Sequence, residues 1–379
     1  MRIMIIAGEA SGDLHGAGVV RELKKRKSDI EIFGIGGEKM QAEGMKLIYH
    51  VRELSFMGFW EVVKHLPLIR SVERTLEAVL SGRKPDALVL IDYPGFNLRF
   101  AEKARRFGIK IVYYISPQVW AWNPGRVKKM RAMIDKMLVV FPFEVDIYRK
   151  FGIDVDFVGH PLLEVLSTPQ AKDKFCTRHG FDPSQPIVGL FPGSRRQELE
   201  RIFPPMLGAA EILMRNCGAQ VAVGAASILA YDFVKSFVRE DLPVKIIQNA
   251  TYDVMANCDV ALVASGTATL ETACFGRPMV VVYKTSWVSY CIGRLLIRIK
   301  NIGLVNIVAG QTIVPELIQH QVTAERLANL AARFLEDSSL RERTRQALSQ
   351  VKLRLGAPGA SARVADAILA LSYYPEASY

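Results

Sequence analysis

The chain has 379 residues, half of them apolar and 23% charged, which excludes a disordered or collagen-like polymer and suggests two domains rather than one oversized core. Lys and Arg number 49 against 38 Asp and Glu, so a net charge of +11 directs attention to anionic partners: nucleic acid, phosphorylated metabolites or an acidic membrane face. Five cysteines without a C-x-x-C pair argue against a disulfide framework or a zinc ribbon and fit a reducing compartment.

The apolar start is too short for a signal-peptide core and runs at once into Glu9, and no stretch approaches a membrane span, so a cytosolic chain is expected. Short apolar runs at 2–7, 31–34, 87–91, 110–115 and 136–140 read as buried strands. A second set follows at 187–191, 220–223, 244–247, 260–263 and 278–283. Buried strands separated by amphipathic helical stretches imply parallel sheets with crossover helices. The expected fold is therefore α/β, with two Rossmann-like domains facing a cleft. Four prolines between 161 and 186 place the hinge there, giving domains at 1–165 and 166–357 and a tail at 358–379 with one helix near 360–371.

In open α/β sheets ligands bind beyond the carboxyl ends of the strands, so the residues just after each strand carry the functional weight. After the first strand, Gly8-Glu9-Ala10-Ser11-Gly12-Asp13 can turn backbone N–H groups toward a phosphate or a sugar, or form a tight turn capped by Ser11 or Asp13. It is neither the G-x-G-x-x-G fingerprint nor a Walker A loop. Asp92 closes the strand at 87–91, where a general base would sit or where a turn aspartate would cap the next helix. Ser116-Pro117-Gln118-Val119-Trp120-Ala121-Trp122 closes the following strand, with tryptophans suited to stacking on a sugar or to packing a loop.

Residues 99–136 hold ten Lys or Arg and two acids, which reads as a solvated basic face or as a site for phosphates and anionic headgroups. Upstream, Phe56, Met57, Phe59, Trp60 and Leu66 lie beside Lys64 and Arg70, either as core or as an apolar patch for a membrane surface or acyl chains. Asp154-Val155-Asp156 resembles the D-x-D metal pair of some sugar transferases, but no further carboxylates accompany it, so no metal site is expected. In the second half, Pro192-Gly193-Ser194-Arg195-Arg196 runs into a helix and combines amide donors with a guanidinium. Ser265-Gly266-Thr267-Ala268-Thr269-Leu270-Glu271 follows another strand: Gly266 and the Thr267 hydroxyl suit a diphosphate and Glu271 suits ribose hydroxyls, unless Glu271 merely completes a capping box.

Taken in order, Ala7-Gly8-Glu9-x-Ser11-Gly12-Asp13, Ile91-Asp92-Tyr93-Pro94-x-Phe96-Asn97, the Ser116–Trp122 segment, Phe157-Val158-Gly159-His160, Pro192-Gly193-Ser194-Arg195 and the Ser265–Glu271 segment closely resemble the lipid-A-disaccharide synthases. These are membrane-associated GT-B glycosyltransferases (family 19) of Gram-negative bacteria. The resemblance implies an inverting transfer of 2,3-diacylglucosamine from its UDP derivative to 2,3-diacylglucosamine 1-phosphate (lipid X), without cofactor or metal, at the inner membrane. It places Glu9, Ser11 and Asp92 in the catalytic region, and Arg195, Glu271 and Asn306 in the nucleotide region. It also suggests that the last helix returns to the first domain, which a monomer or an exchanged homodimer would satisfy equally. A UDP-sugar 2-epimerase of the same architecture is the rival reading. Nucleic-acid binding finds no reading motif in the basic stretch.

Overall fold

The computed structural model describes residues 1–54, 65–118, 125–226, 229–287, 290 and 300–373. The chain divides into two compact units, Met1–Glu164 with Leu355–Tyr379, and Val165–Arg354.

In the first unit the strands are β1 (Arg2–Ala7), β2 (Glu31–Gly36), β3 (Lys46–His50), β4 (Ala87–Ile91), β5 (Lys110–Tyr114), β6 (Lys136–Val139) and β7 (Val155–Phe157). They form one parallel sheet in the order β3-β2-β1-β4-β5-β6-β7. The central strands are covered on both faces, so Ile3 to Ala7 and Ala87 to Ile91 are all buried; this is why they read as unbroken apolar runs rather than alternating ones. The edge strand β3 is only partly buried and carries no such run, so the apolar pattern misses it.

In the second unit the strands are β8 (Ile187–Phe191), β9 (Gln220–Ala225), β10 (Val244–Gln248), β11 (Val260–Ala264), β12 (Met279–Tyr283) and β13 (Glu316–Ile318), again all parallel, in the order β10-β9-β8-β11-β12-β13. The short edge strand β13 also escapes sequence patterning. Both sheets are flanked by helices, and both have the doubly wound, Rossmann-like strand order in which the chain starts near the middle and winds outward each way.

The Ala360–Tyr373 helix packs on the Ala10–Arg26 helix within the first unit. Glu164 fixes its start by accepting the Ser361 backbone N–H at 2.8 Å, and Arg26 pairs with Asp366 at 2.6 Å. Arg363 donates from Nε to the Val158 carbonyl at 2.7 Å, tying this helix to the end of β7.

Candidate functional site

The crevice of a doubly wound sheet opens where the winding direction reverses. In the first unit that point lies between β1 and β4, where Ala7 pairs with Ile91. The next residues of the two strands are the Gly8-Glu9 turn and Asp92. Glu9 is the extended residue before the Ala10–Arg26 helix, and its carboxylate makes no capping bond. Ser11 is exposed in the first turn of that helix. Burial and, after it, the negative charge of Glu9 push the Asp92 carboxyl up to about 6, partly opposed by the Tyr93 backbone N–H. A carboxylate of that basicity next to an open strand end is suited to accepting a proton near neutral pH.

The turn carrying Asp92 is strained. Asp92 (φ 47°) and Tyr93 (φ 48°) are successive non-glycine residues in the left-handed region, at a cost of order 1–3 kcal/mol each. Several contacts hold it. The Asp92 N–H donates to the Tyr114 carbonyl at 3.0 Å, while the Asp92 carbonyl accepts from Asn97 Nδ2 at 2.7 Å and from the Tyr113 hydroxyl at 2.6 Å. The Tyr93 ring lies over Gly8, where a Cβ would come within 2.1 Å of it, so only glycine fits there. The Tyr93 hydroxyl donates to the Leu54 carbonyl at 2.9 Å.

Asp13 does not cap its own helix, whose start is at Glu9. Its buried carboxylate accepts the backbone N–H groups of Gly37 (2.7 Å), Lys39 (3.2 Å) and Met40 (3.0 Å), fixing the turn after β2. Further along the sheet edge, Ser116 donates to buried Glu144 at 2.6 Å, and the Leu162 N–H donates to His160 Nδ1 at 3.1 Å. Burial lowers His15 to about 4 and, together with His15, lowers His160 to about 3. Both imidazoles are therefore neutral at pH 7 and supply no positive charge to this edge.

In the second unit the winding reverses between β8 and β11. Beyond β8, Ser194 and Arg195 are exposed, and Arg195 is the extended residue before the Arg196–Cys217 helix. The neighbouring arginine is engaged elsewhere: the Arg196 guanidinium lies 4.1 Å from the centre of the Phe233 ring. The Arg195 charge acts on Glu198, which burial raises, and on Tyr283 at the end of β12. Beyond β11, Gly266 takes φ 148°, and a Cβ there would meet nothing within 4 Å among the described residues, so the backbone rather than crowding demands glycine.

Thr267 begins the Thr267–Cys274 helix and is exposed. No side chain caps that helix start, so the capping-box alternative for Glu271 does not form. Instead Glu271, raised by burial, accepts from the Tyr252 hydroxyl at 3.2 Å. Asn306 is fully buried and its amide is saturated. Nδ2 donates to the Val314 carbonyl (2.8 Å) and Glu316 Oε1 (2.7 Å), while Oδ1 accepts the N–H groups of Ile313 (2.8 Å) and Val314 (3.1 Å). It shapes the lead into β13.

The basic stretch at 99–136 is not one free cationic face. Arg99 (3.1 Å) and Lys103 (3.1 Å) pair with Glu73, and Arg105 pairs with Asp135 (2.8 Å). Lys136 sits between Asp154 (2.8 Å) and Asp156 (2.7 Å), so the D-x-D pair holds an ammonium. Lys128 and Lys129 remain exposed on the Gly125–Met130 helix. Leu66 opens the Leu66–Gly82 helix and is half-buried; Phe56, Met57, Phe59, Trp60, Trp120 and Trp122 lie outside the described residues. Tyr113, Tyr252 and Phe233 had no sequence signal beyond ordinary core aromatics, because their roles depend on contacts between separate elements.

Residues 3–369 match the family profile described as lipid-A-disaccharide synthetase. The lipid-A-disaccharide synthase of Geobacter metallireducens is 45% identical over 97% of this chain and 96% of its own. That of Geobacter sulfurreducens is 46% identical over the same shares, and that of Trichlorobacter lovleyi 41% identical over 98% and 97%. Among solved structures, the UDP-GlcNAc 2-epimerase of Neisseria meningitidis bound to UDP-GlcNAc is similar, with a TM-score of 0.67 at 13% identity over 98% of this chain and all of that one. The calicheamicin glycosyltransferase CalG4 gives a TM-score of 0.63 at 18% identity over 98% of both chains. At such identities the structures establish the two-domain GT-B fold alone.

Proposed function

This chain belongs to the lipid-A-disaccharide synthase family, and we propose that its reaction joins UDP-2,3-diacylglucosamine to lipid X, with Asp92 as general base. The family's glycosyltransferase activity, rather than the epimerase reading, follows from near-full-length identity to the synthases, whereas the epimerases share only the fold. The observation that carries the residue assignment is that Asp92 and Glu9 follow directly on the two strands that flank the winding reversal.

In this mechanism the acceptor 6-hydroxyl attacks the anomeric carbon as Asp92 takes its proton. The bond from that carbon to the β-phosphate oxygen breaks with its electron pair, and UDP departs. One displacement inverts the anomeric centre. General-base assistance of this kind contributes roughly 10²–10⁴ in rate. Charge developing on the diphosphate is met by Arg195 and by the backbone amides near Ser194, Gly266 and Thr267, which act as preset donors. Glu271, held by Tyr252, is positioned for a ribose hydroxyl, and Asn306 supports the site by ordering the chain before β13. Glu9 and Ser11 line the acceptor side, Glu9 acting chiefly through its charge on Asp92.

Both substrates carry acyl chains, so the enzyme must work at a lipid surface, and among the described residues no helix is long and apolar enough to cross a membrane. Peripheral contact with the anionic inner membrane fits these facts. Lys128 and Lys129 offer about 1 kcal/mol each near an anionic surface, and Phe56, Met57, Phe59, Trp60 and Leu66 would supply the apolar contact. Salt-dependent flotation with anionic vesicles supports this; binding that ignored salt and survived Phe59→Ser with Trp60→Ser would refute it.

The decisive assay incubates the protein with UDP-2,3-diacylglucosamine, with and without lipid X, and follows UDP. Release that requires lipid X is the expected result. Consumption of the UDP-sugar in its absence would favour the epimerase reading.

A further inference from the structure

We infer that Tyr113 and Asn97 are positioning residues for the reaction: together they hold the Asp92 carbonyl and so keep the 92–93 turn left-handed, fixing where the Asp92 carboxylate stands at the strand end. The inference rests on Asp92 being the general base. Two successive non-glycine residues with φ near 47° persist only where the surroundings over-determine them. Here both donors to one carbonyl come from fully buried side chains on different elements, Tyr113 from β5 and Asn97 from the Pro94–Arg105 helix. Asn97 Nδ2 also reaches the Ile91 carbonyl at 3.2 Å, bracketing the peptide on which the strand ends. Tyr113 is paired with Leu90 in the sheet ladder, so its hydroxyl reports the position of the strand end directly to the turn.

Among the described residues, the charged and titratable groups around the Asp92 turn are Glu9, just before the Ala10–Arg26 helix, Tyr93 in the turn itself, and Tyr113 from β5. Arg99 acts on Tyr93, and Arg126 and Tyr148 act on Tyr113. With both carbonyl contacts in place, Asp92 stays partly desolvated and its carboxyl elevated. Loss of either contact lets the turn relax toward ordinary backbone geometry. The carboxylate then gains water and moves away from the acceptor, which weakens it as a base and misplaces it together.

The test compares the wild-type protein with Tyr113→Phe, Asn97→Leu and Asp92→Asn, using circular dichroism and the pH dependence of kcat/KM with both lipid substrates. Tyr113→Phe is expected to fold, to lose about 10- to 100-fold in kcat with little change in KM, and to move the acidic limb to lower pH. Asn97→Leu should do the same, and it decides the matter should Tyr113→Phe not fold. An unchanged kcat and acidic limb in a folded variant, beside an inactive Asp92→Asn, would overturn the positioning role. A lowered kcat with an unmoved limb would overturn it too, since that is what a merely structural role produces. Retained activity in Asp92→Asn would instead remove the general-base reading on which the inference stands.

Discussion

Glu9 acts on Asp92 across the end of the central strand pair: after burial, its charge is the larger of the influences holding the Asp92 carboxyl at about 6. Ala7 and Ile91 are partners in the parallel ladder, so the sheet register puts Asp92 and the Gly8-Glu9 turn at the same end of adjacent strands.

Removing the Glu9 charge should therefore retune the base. In Glu9→Gln the acidic limb of kcat/KM moves below about 6 toward the ordinary aspartate range near 4. An unmoved limb in a folded, active Glu9→Gln would show that the Glu9 charge does not act on Asp92.

Asp92 also carries a stability cost with a definite sign. Its folded pKa of about 6 lies above the unfolded value of 3.8, so its contribution to stability is present below pH 3.8 and is lost as pH rises through 6. Asp92→Asn should leave an inactive protein that at pH 8 is more stable than the parent, by up to about 3 kcal/mol. Denaturant titrations at pH 5 and pH 8 check this: the gap between variant and parent should widen at the higher pH.

Arg195 and Arg196 should separate cleanly. A charge-assisted hydrogen bond to phosphate is worth about 1.5–3 kcal/mol, so Arg195→Ala is expected to weaken UDP binding by roughly 10- to 150-fold in calorimetric titration. Arg196→Ala removes a guanidinium already stacked on Phe233 and should change UDP affinity less than about threefold. Equal effects would mean that the two share the diphosphate.

Asp13 is a fold residue inside a functional motif. Asp13→Asn cannot accept three amide hydrogens as an anion does, and should cost about 1.5–3 kcal/mol of stability, read as a lowered Tm. Turnover per folded molecule should stay close to the parent value at a temperature where both are folded. A large loss of kcat without a change in Tm would place Asp13 in the chemistry after all.

Asp154 and Asp156 should be dispensable. Because Lys136 already bridges them, Asp154→Asn with Asp156→Asn is expected to leave the rate within about twofold, since exposed ion pairs contribute about 0–1 kcal/mol. EDTA should leave the rate of the parent unchanged. Loss of activity in either experiment would reopen the D-x-D pair as a metal site.

The inner strands were legible because central strands of a parallel sheet are buried on both faces and read as unbroken hydrophobic runs, whereas the edge strand β10 was legible from its own Val244, Ile246 and Ile247 although it is mostly only partly buried. The loops carrying Glu9, Asp92, Arg195 and Gly266 were legible for a related reason: each follows directly on such a run, and the turn residues are local. The edge strands β3 and β13 were not, since short, partly covered strands need no apolar run. Strand order, and hence which loops flank a winding reversal, was decided only by tertiary structure, through crossover connections between distant segments. So were the turning of Asp13 toward Gly37, Lys39 and Met40, the capture of Lys136 by Asp154 and Asp156, and the hold of Tyr113 on Asp92. Sequence determined which chemical groups stand at the strand ends. Hydrogen bonds and ion pairs between separate elements decided which of those groups are spent on the fold and which stay free for a substrate.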